Sequence, residues 1–169
     1  LFHEHWDFLR ECLDSVSENL KRIKFDVVVI NTRNSNDDLE RLTKVATEYE
    51  VRNIPFVLPL VINEVYTDCL AKYDYILRLD ADDFLYPRAV ETLVREMDQS
   101  RDVGAICGSW SVVDSKSRIR SQIIAPREDV GLGIHGACTI FRTKHLEDLK
   151  FSELDIDSQD GFATYLHLK

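Results

Sequence analysis

The sequence predicts an α/β fold in which a mostly parallel sheet is flanked by helices, with a small antiparallel hairpin added late in the chain. Short runs of continuous apolar residues, typical of strands buried on both faces, alternate with amphipathic helical patterns over the first hundred residues. From residue 103 onward, two strand-like runs are separated by a short turn, which is a hairpin pattern. The length of 169 residues suits one domain with a substantial core.

The first helix is predicted from five apolar residues that are spaced three and four apart and therefore share one face. These residues are Trp6, Leu9, Leu13, Val16 and Leu20. A strand is predicted at 27–30, where three of four residues are Val. The polar loop 31–38 follows and leads into a second helix that Asp37 or Asp38 can cap.

The middle of the chain continues this alternation with a strand, a helix, a strand and a helix. They are predicted at residues 54–62, 64–71, 75–79 and 88–97. The first of these strands contains two prolines, which are unusual inside a sheet. The remaining elements are a hairpin, a short strand and two short helices. The hairpin is predicted at 103–113 with 118–124 and the short strand at 138–141. The two short helices are predicted near 144–149 and near 160–168.

Three carboxylates, those of Asp80, Asp82 and Asp83, directly follow the predicted strand 75–79. Carboxylates this close repel one another, so their position at the end of a buried strand is costly without a cation. Oxygen ligands suit Mg²⁺ or Mn²⁺, which usually bind one or two carboxylates together with substrate phosphates. The cluster therefore predicts a metal site for a phosphate-bearing substrate. The alternative is a solvated acidic turn that caps the helix beginning near Pro87.

The charge of the chain limits its partners. The formal net charge is −9, which argues against nucleic acid or an anionic membrane surface as the main partner. The four cysteines form no CxxC pair, so we expect reduced thiols rather than a zinc site or a disulfide framework. The longest apolar run, 54–62, is too short to span a bilayer, and no signal-peptide pattern is present. These features favour a cytoplasmic protein.

Four segments, in order, resemble landmarks of the family 2 glycosyltransferases. YILRLDADD, followed by Pro87, is similar to the strand that carries the family's DxD motif. The other three segments are DVVVINTRNSNDD, GACTIFRTKHLEDL and SELDIDSQDGF. The resemblance covers nearly the whole chain and implies a single GT-A domain over residues 1–169. It also implies an inverting transfer of sugar from a nucleotide-sugar donor to an acceptor hydroxyl, in the synthesis of a surface polysaccharide.

The resemblance assigns roles to four carboxylates. Asp82 would hold the Mn²⁺ or Mg²⁺ ion that bridges the donor diphosphate, a cation that stabilises the leaving group's charge. Asp80 would bind the ribose or a metal-bound water, and Asp83 would support both. Asp160 would act as the general base that deprotonates the acceptor hydroxyl. The alternative for Asp160 is to cap the last helix.

Five further residues are implied to contact the donor. Asn31, Arg33 and Asn34 follow a strand on the rim of the sheet where ligands bind, and would touch the base or ribose. His135 and Arg142 would lie near the donor. Ordinary turn residues are the alternative for the first three, and ordinary surface residues for the other two.

The sequence also departs from the family pattern. It starts in the helix after the family's first strand, lacks the Ala-Arg-Asn motif before the DxD strand, and stops soon after Asp160. We therefore expect a domain without that strand and without the acceptor region, whose exposed sheet edge a second subunit would cover.

The expected acceptor is a saccharide or a lipid-linked molecule. The basic residues Lys21, Arg22 and Lys24 would face an anionic lipid-linked acceptor at the inner face of the membrane, or would form an ordinary solvated surface. Two other functions stay open: a nucleotidyltransferase that makes nucleotide sugars, and a non-catalytic remnant that binds sugar or partners.

Overall fold

The computed structural model describes residues 6–31, 36–53, 67–114, 116, 118–124 and 139–146. The helices in these ranges are α1 (Trp6–Leu20), α2 (Asn36–Val45), α3 (Ala89–Gln99) and a 3₁₀ turn, Thr143–His145. Residues 67–70 are also helical, inside the helix predicted at 64–71. No helix within the described ranges has the length and apolar character needed to cross a membrane.

The strands of the described residues form three groups. They are β1 (Val28–Asn31), β2 (Glu50–Asn53), β3 (Tyr75–Leu77), β4 (Ala105–Cys107), β5 (Trp110–Val113), β6 (Ile119–Ile123) and β7 (Thr139–Arg142). Strands β1 and β2 pair in parallel. Strand β7 lies between β3 and β4 and is antiparallel to both, so β3 and β4 run in the same direction. Strands β5 and β6 form the hairpin, with a bulge between Val112 and Val113.

Most predicted elements are present, with two differences among the strands. The single strand expected at 103–113 is split into β4 and β5, because the chain leaves one sheet at 108–109 and enters another. Strand β2 was not predicted, since its sequence Glu-Val-Arg-Asn carries a single apolar residue. The strand expected at 54–62 and the helix expected near 160–168 lie outside the described residues. The helix expected near 144–149 is a 3₁₀ turn over its described part.

Helix α1 packs against both of its helical neighbours through the predicted apolar face. Leu9 and Leu13 share a core cluster with Leu42 and Ala46 on the α2 side. One turn further along α1, Val16 packs with Leu85 and Val90, near the start of α3. On the other side of α3, Leu93 and Met97 pack against Ile140 of β7. Helix α1 therefore lies between α2 and the segment that links β3 to α3.

Candidate active site

The three adjacent carboxylates lie on a tight turn that begins where the chain leaves β3. The backbone N–H of Asp83 donates to the carbonyl oxygen of Asp80 at 3.0 Å, which closes the turn. The side chains of Asp82 and Asp83 are exposed, whereas Asp80 and Ala81 are half-buried. Asp is well tolerated at such positions because its side chain is short and polar. The carboxylates therefore point out of a turn whose backbone is anchored to the core.

The carboxylate of Asp80 is held by Arg78. Two nitrogens of the Arg78 guanidinium, Nε and Nη2, donate to the same oxygen, Oδ1, at 3.2 and 3.0 Å. The Arg78 side chain is 23% exposed and that of Asp80 is 40% exposed, so the pair is partly withdrawn from solvent. Charge-assisted bonds of this kind are stronger than neutral ones. Arg78 thus offsets part of the turn's negative charge and orients one of its three carboxylates.

Three residues of α1, spaced three and four apart, hold the acidic turn and the segment that follows it. The Cys12 thiol lies 3.7 Å from the Asp80 carbonyl oxygen, to which it donates. The Ser15 hydroxyl accepts the backbone N–H of Leu85 at 3.0 Å and donates to the Cys12 carbonyl oxygen at 2.6 Å. Residues three and four apart lie on one helix face, so Cys12, Ser15 and Asn19 form a stripe that contacts successive residues of the segment 80–90.

Asn19 completes this stripe and is fully buried. Its amide nitrogen donates to the carbonyl oxygens of Ser15, at 2.9 Å, and Tyr86, at 3.2 Å. Its amide oxygen accepts the backbone N–H of Val90 at 3.1 Å. Arg88 precedes α3 in a left-handed conformation, φ 69°, and its side chain makes no capping bond. Asn19 therefore caps α3 from a different helix and satisfies one of its free N–H groups.

The buried side chain of Cys12 lies next to the acidic turn, at the carbonyl oxygen of Asp80. Burial is the main cause that raises the pKa of the Cys12 thiol to about 12, because the thiolate would lose its hydration. The carboxylates of Asp83, Asp82 and Asp80 raise this pKa further, in that order. All three negative charges therefore act on the same point, which is the setting in which a cation bound at the turn would be stabilised.

The carboxylates of the acidic turn suit a metal ion that water and substrate help to coordinate better than one enclosed by protein side chains alone. No group of three or more His, Cys, Asp or Glu side chains within the described ranges is arranged to hold a metal ion. An all-protein cage is thus not formed by this part of the chain. Two exposed carboxylates on a turn, beside a third held by an arginine, instead suit Mg²⁺ or Mn²⁺, which take one or two carboxylates and complete their shell with water and substrate phosphates.

The other predicted rim residue that the structure describes is Asn31, the last residue of β1, which is 7% exposed. Val29 of the same strand and Ala81 of the acidic turn pack against the same core cluster beneath α1 and α2. The end of β1 and the acidic turn thus share one region of the core. Four predicted site residues lie outside the described residues: Arg33, Asn34, His135 and Asp160.

Arg142 lies elsewhere. It pairs with Tyr75, at the beginning of β3, whereas Asp80 follows the end of that strand. Its guanidinium donates to the carbonyl oxygens of Met97, at 2.6 Å, Ser100, at 3.3 Å, and Val103, at 3.2 Å. It also lies over the Tyr75 ring, 5.2 Å from the ring centre. Arg142 therefore binds the last carbonyls of α3, where a cation is favourable. These contacts lie at the opposite end of β3 from the acidic turn, and the contact of Arg142 with the donor stays a prediction.

Sequence reasoning missed four residues around the turn: Cys12, Ser15, Asn19 and Arg78. The first three stand at helical spacing on the side of α1 that packs inward, interleaved with its apolar stripe. A polar residue in such a stripe indicates hydrogen bonds to a neighbouring segment, since buried polar groups need hydrogen-bond partners. Arg78 is a charged residue inside the apolar run YILRL, and a charge there also needs a partner.

Comparisons with known proteins bear on the fold and the family of this chain. Solved structures similar to this chain include a crystal structure of S. aureus TarS, with a TM-score of 0.65 and 15% identity over 96% of this chain and 32% of that chain. A structure of S. aureus TarS 1–349 has a TM-score of 0.62 and 15% identity over 95% of this chain and 52% of that chain. This chain thus spans a third to a half of those structures. Among curated proteins, no sequence match is found.

At this identity, the structural likeness is evidence for the fold. It supports the predicted GT-A type α/β architecture. The family model described as glycosyl transferase family 2 matches residues 68–159, which include β3, the acidic turn, α3, the hairpin and β7. That range is more than half of the 169-residue chain. The chain therefore belongs to glycosyl transferase family 2.

Proposed function

We propose that this chain carries the donor-binding part of a metal-dependent, inverting glycosyltransferase. The enzyme moves a sugar from a nucleotide-sugar donor to an acceptor hydroxyl, in the synthesis of a surface polysaccharide. The observation that carries the proposal is the anchored turn at the end of β3, which brings Asp80, Asp82 and Asp83 together and leaves the side chains of Asp82 and Asp83 exposed. Family membership supports glycosyl transfer as the reaction class.

The chemistry explains why such a turn is useful. When the bond between the sugar and the diphosphate breaks, negative charge develops on the departing nucleoside diphosphate. A bound Mn²⁺ or Mg²⁺ ion would stabilise that charge. We assign Asp82, exposed within the turn, to the metal, and Asp83 to its support. Asp80, oriented by Arg78, binds the ribose or a metal-bound water.

The remaining roles rest on the family resemblance. Asp160 is proposed as the general base that takes the proton of the acceptor hydroxyl, which requires it to lie within hydrogen-bond reach of that group. Asn31, at the end of β1, is proposed to contact the base or ribose together with Arg33 and Asn34. His135 is proposed to face the donor.

We propose a saccharide or lipid-linked acceptor and a cytoplasmic location at the inner face of the membrane. The support is the exposed basic segment after α1, formed by Lys21, Arg22 and Lys24. Lys21 pairs with Glu18 at 2.5 Å, so part of this charge is already offset.

The test is calorimetric titration of the protein with UDP, GDP, CDP and CMP, each in Mn²⁺ and again in EDTA. We expect one nucleotide to bind in Mn²⁺ and to lose that binding in EDTA. Binding that is the same in both conditions would rule out the metal. Absence of binding in both conditions would favour the non-catalytic alternative.

Two variants separate the proposed roles. Asp82→Asn should weaken nucleotide binding in Mn²⁺ by about tenfold or more and leave any binding in EDTA unchanged. Asp160→Asn should leave nucleotide binding intact and abolish sugar transfer. The matched control is Asp102→Asn, which removes a charge from an exposed turn after α3 and should change neither property. Full turnover by Asp160→Asn would show that another group is the base.

A further inference from the structure

We propose that Arg78 is a positioning residue that tunes the acidic turn for a metal-bound nucleoside diphosphate rather than for a free metal ion. The inference rests on the proposed function and adds a residue to it. Arg78 stands two residues before Asp80, where the chain leaves β3. That spacing puts two side chains on the same face of an extended chain.

The geometry distinguishes this pair from the surface ion pairs of the molecule. Lys44 with Glu40 and Arg95 with Glu96 are exposed pairs of neighbouring helix residues, which contribute little. Arg78 is mostly withdrawn from solvent, and two of its nitrogens donate to the same oxygen of Asp80. A guanidinium held this way fixes the rotation of the carboxylate. Both of these bonds end on Oδ1 of Asp80.

The charge of Arg78 has opposite effects on two ligands. The carboxylates of Asp80, Asp82 and Asp83 would attract a free divalent cation strongly, and the guanidinium weakens that attraction. A nucleoside diphosphate that carries its metal keeps a net negative charge at neutral pH, so the same guanidinium makes the turn less repulsive to it. Arg78 therefore shifts the preference of the site from the bare cation to the metal–diphosphate complex.

The test uses two substitutions and two probes. Free Mn²⁺ is measured by electron paramagnetic resonance during titration with the protein alone, and UDP, GDP and CDP are titrated by calorimetry in excess Mn²⁺. For Arg78→Gln, which removes the charge, we expect Mn²⁺ alone to bind about threefold to tenfold more tightly. The nucleoside diphosphate that the unmodified protein binds should bind about tenfold more weakly.

Arg78→Lys separates charge from geometry. Lysine keeps the positive charge but lacks the planar fork that holds one carboxylate oxygen with two nitrogens. We expect the affinity for Mn²⁺ alone to stay unchanged and the affinity for the diphosphate to fall less than in Arg78→Gln. Arg95→Gln is the matched control, since it removes a guanidinium from an exposed pair on α3 and should change neither affinity.

The outcomes are distinct. Tighter Mn²⁺ binding together with weaker diphosphate binding in Arg78→Gln supports the inference, because a loss of structure would weaken both. Weaker binding of both probes would assign Arg78 to the stability of the turn and overturn the inference. Unchanged binding of both would overturn it as well. If the unmodified protein binds neither probe, the proposed function fails first, and the inference fails with it.

Discussion

Asn19 should be among the most sensitive positions of this fold, although it does not lie on the acidic turn itself. Asn19→Ala removes three hydrogen bonds at once: those to the carbonyl oxygens of Ser15 and Tyr86 and that from the N–H of Val90. Each such bond contributes about 1 kcal/mol net, and groups left unpaired in a buried site cost more. We therefore expect the free energy of unfolding to fall by about 3–5 kcal/mol, which is a large share of a typical total.

The isosteric change Asn19→Asp tests the directions of these bonds. A carboxylate can still accept the N–H of Val90, but it cannot donate to the two carbonyl oxygens and instead repels them. A buried carboxylate in these surroundings has a raised pKa, so the folded variant binds a proton more readily than the unfolded one. The loss of stability should therefore be larger at pH 7 than at pH 4.

The assay is urea unfolding followed by circular dichroism, with the slope m compared among variants. A change of midpoint at constant m reports stability alone. Thr43→Ala is the control, because the Thr43 hydroxyl bonds within its own helix, to the Leu39 carbonyl oxygen, and the residue is exposed. Its effect should stay within about 0.5 kcal/mol. A loss below about 1 kcal/mol for Asn19→Ala would refute the assignment of Asn19 as the cap of α3.

Three other predictions follow from the same contacts. Burial first, and then the three carboxylates, raise the pKa of the Cys12 thiol from 9.0 to about 12, so stability should fall as pH rises above 9. When the pH rises from 8 to 10, the free energy of unfolding measured in urea should fall by about 1 kcal/mol more in the unmodified protein than in Cys12→Ala. Equal falls in the two proteins would contradict this. Ser15→Ala should cost about 1 kcal/mol in the same assay, because the Leu85 N–H loses its acceptor; no loss would mean that water replaces the hydroxyl. If Arg142 acts only through the carbonyl groups near the end of α3, Arg142→Lys should cost about 2 kcal/mol and leave nucleotide affinity unchanged by calorimetry; unchanged stability with weaker nucleotide binding would instead support the predicted contact with the donor.

The helices and the acidic turn were predictable because their signals are local. The apolar stripe of α1 fixed which side faces inward, and Leu9, Leu13 and Val16 are indeed buried. Asp80 was correctly placed just beyond a strand, since an apolar run precedes it and a helix opener follows. In each case, residues that are close in the sequence are sufficient to predict the feature.

Strand β7 and its partners were not predictable in the same way. Its antiparallel position between β3 and β4 depends on pairing between distant parts of the chain, such as Ile76 with Phe141, and nothing local encodes that direction. The role of Asn19 depends on two segments that meet it only in the folded state. The position of Arg142 follows from the direction of β7, which neighbouring residues do not encode.

The place of β7 has a consequence for the order in which the protein folds. Within the part of the chain that the structure describes, β3 and β4 do not pair with each other, and both pair with β7, whose residues 139–142 come later in the sequence. Pairing across so much intervening chain is slow, because loop closure must precede any gain in contacts. During synthesis on the ribosome, the edge of β3 that pairs with β7 would therefore stay unpaired until β7 emerges, and such edges recruit other chains. Premature termination before residue 139 should accordingly yield aggregates rather than a smaller soluble domain.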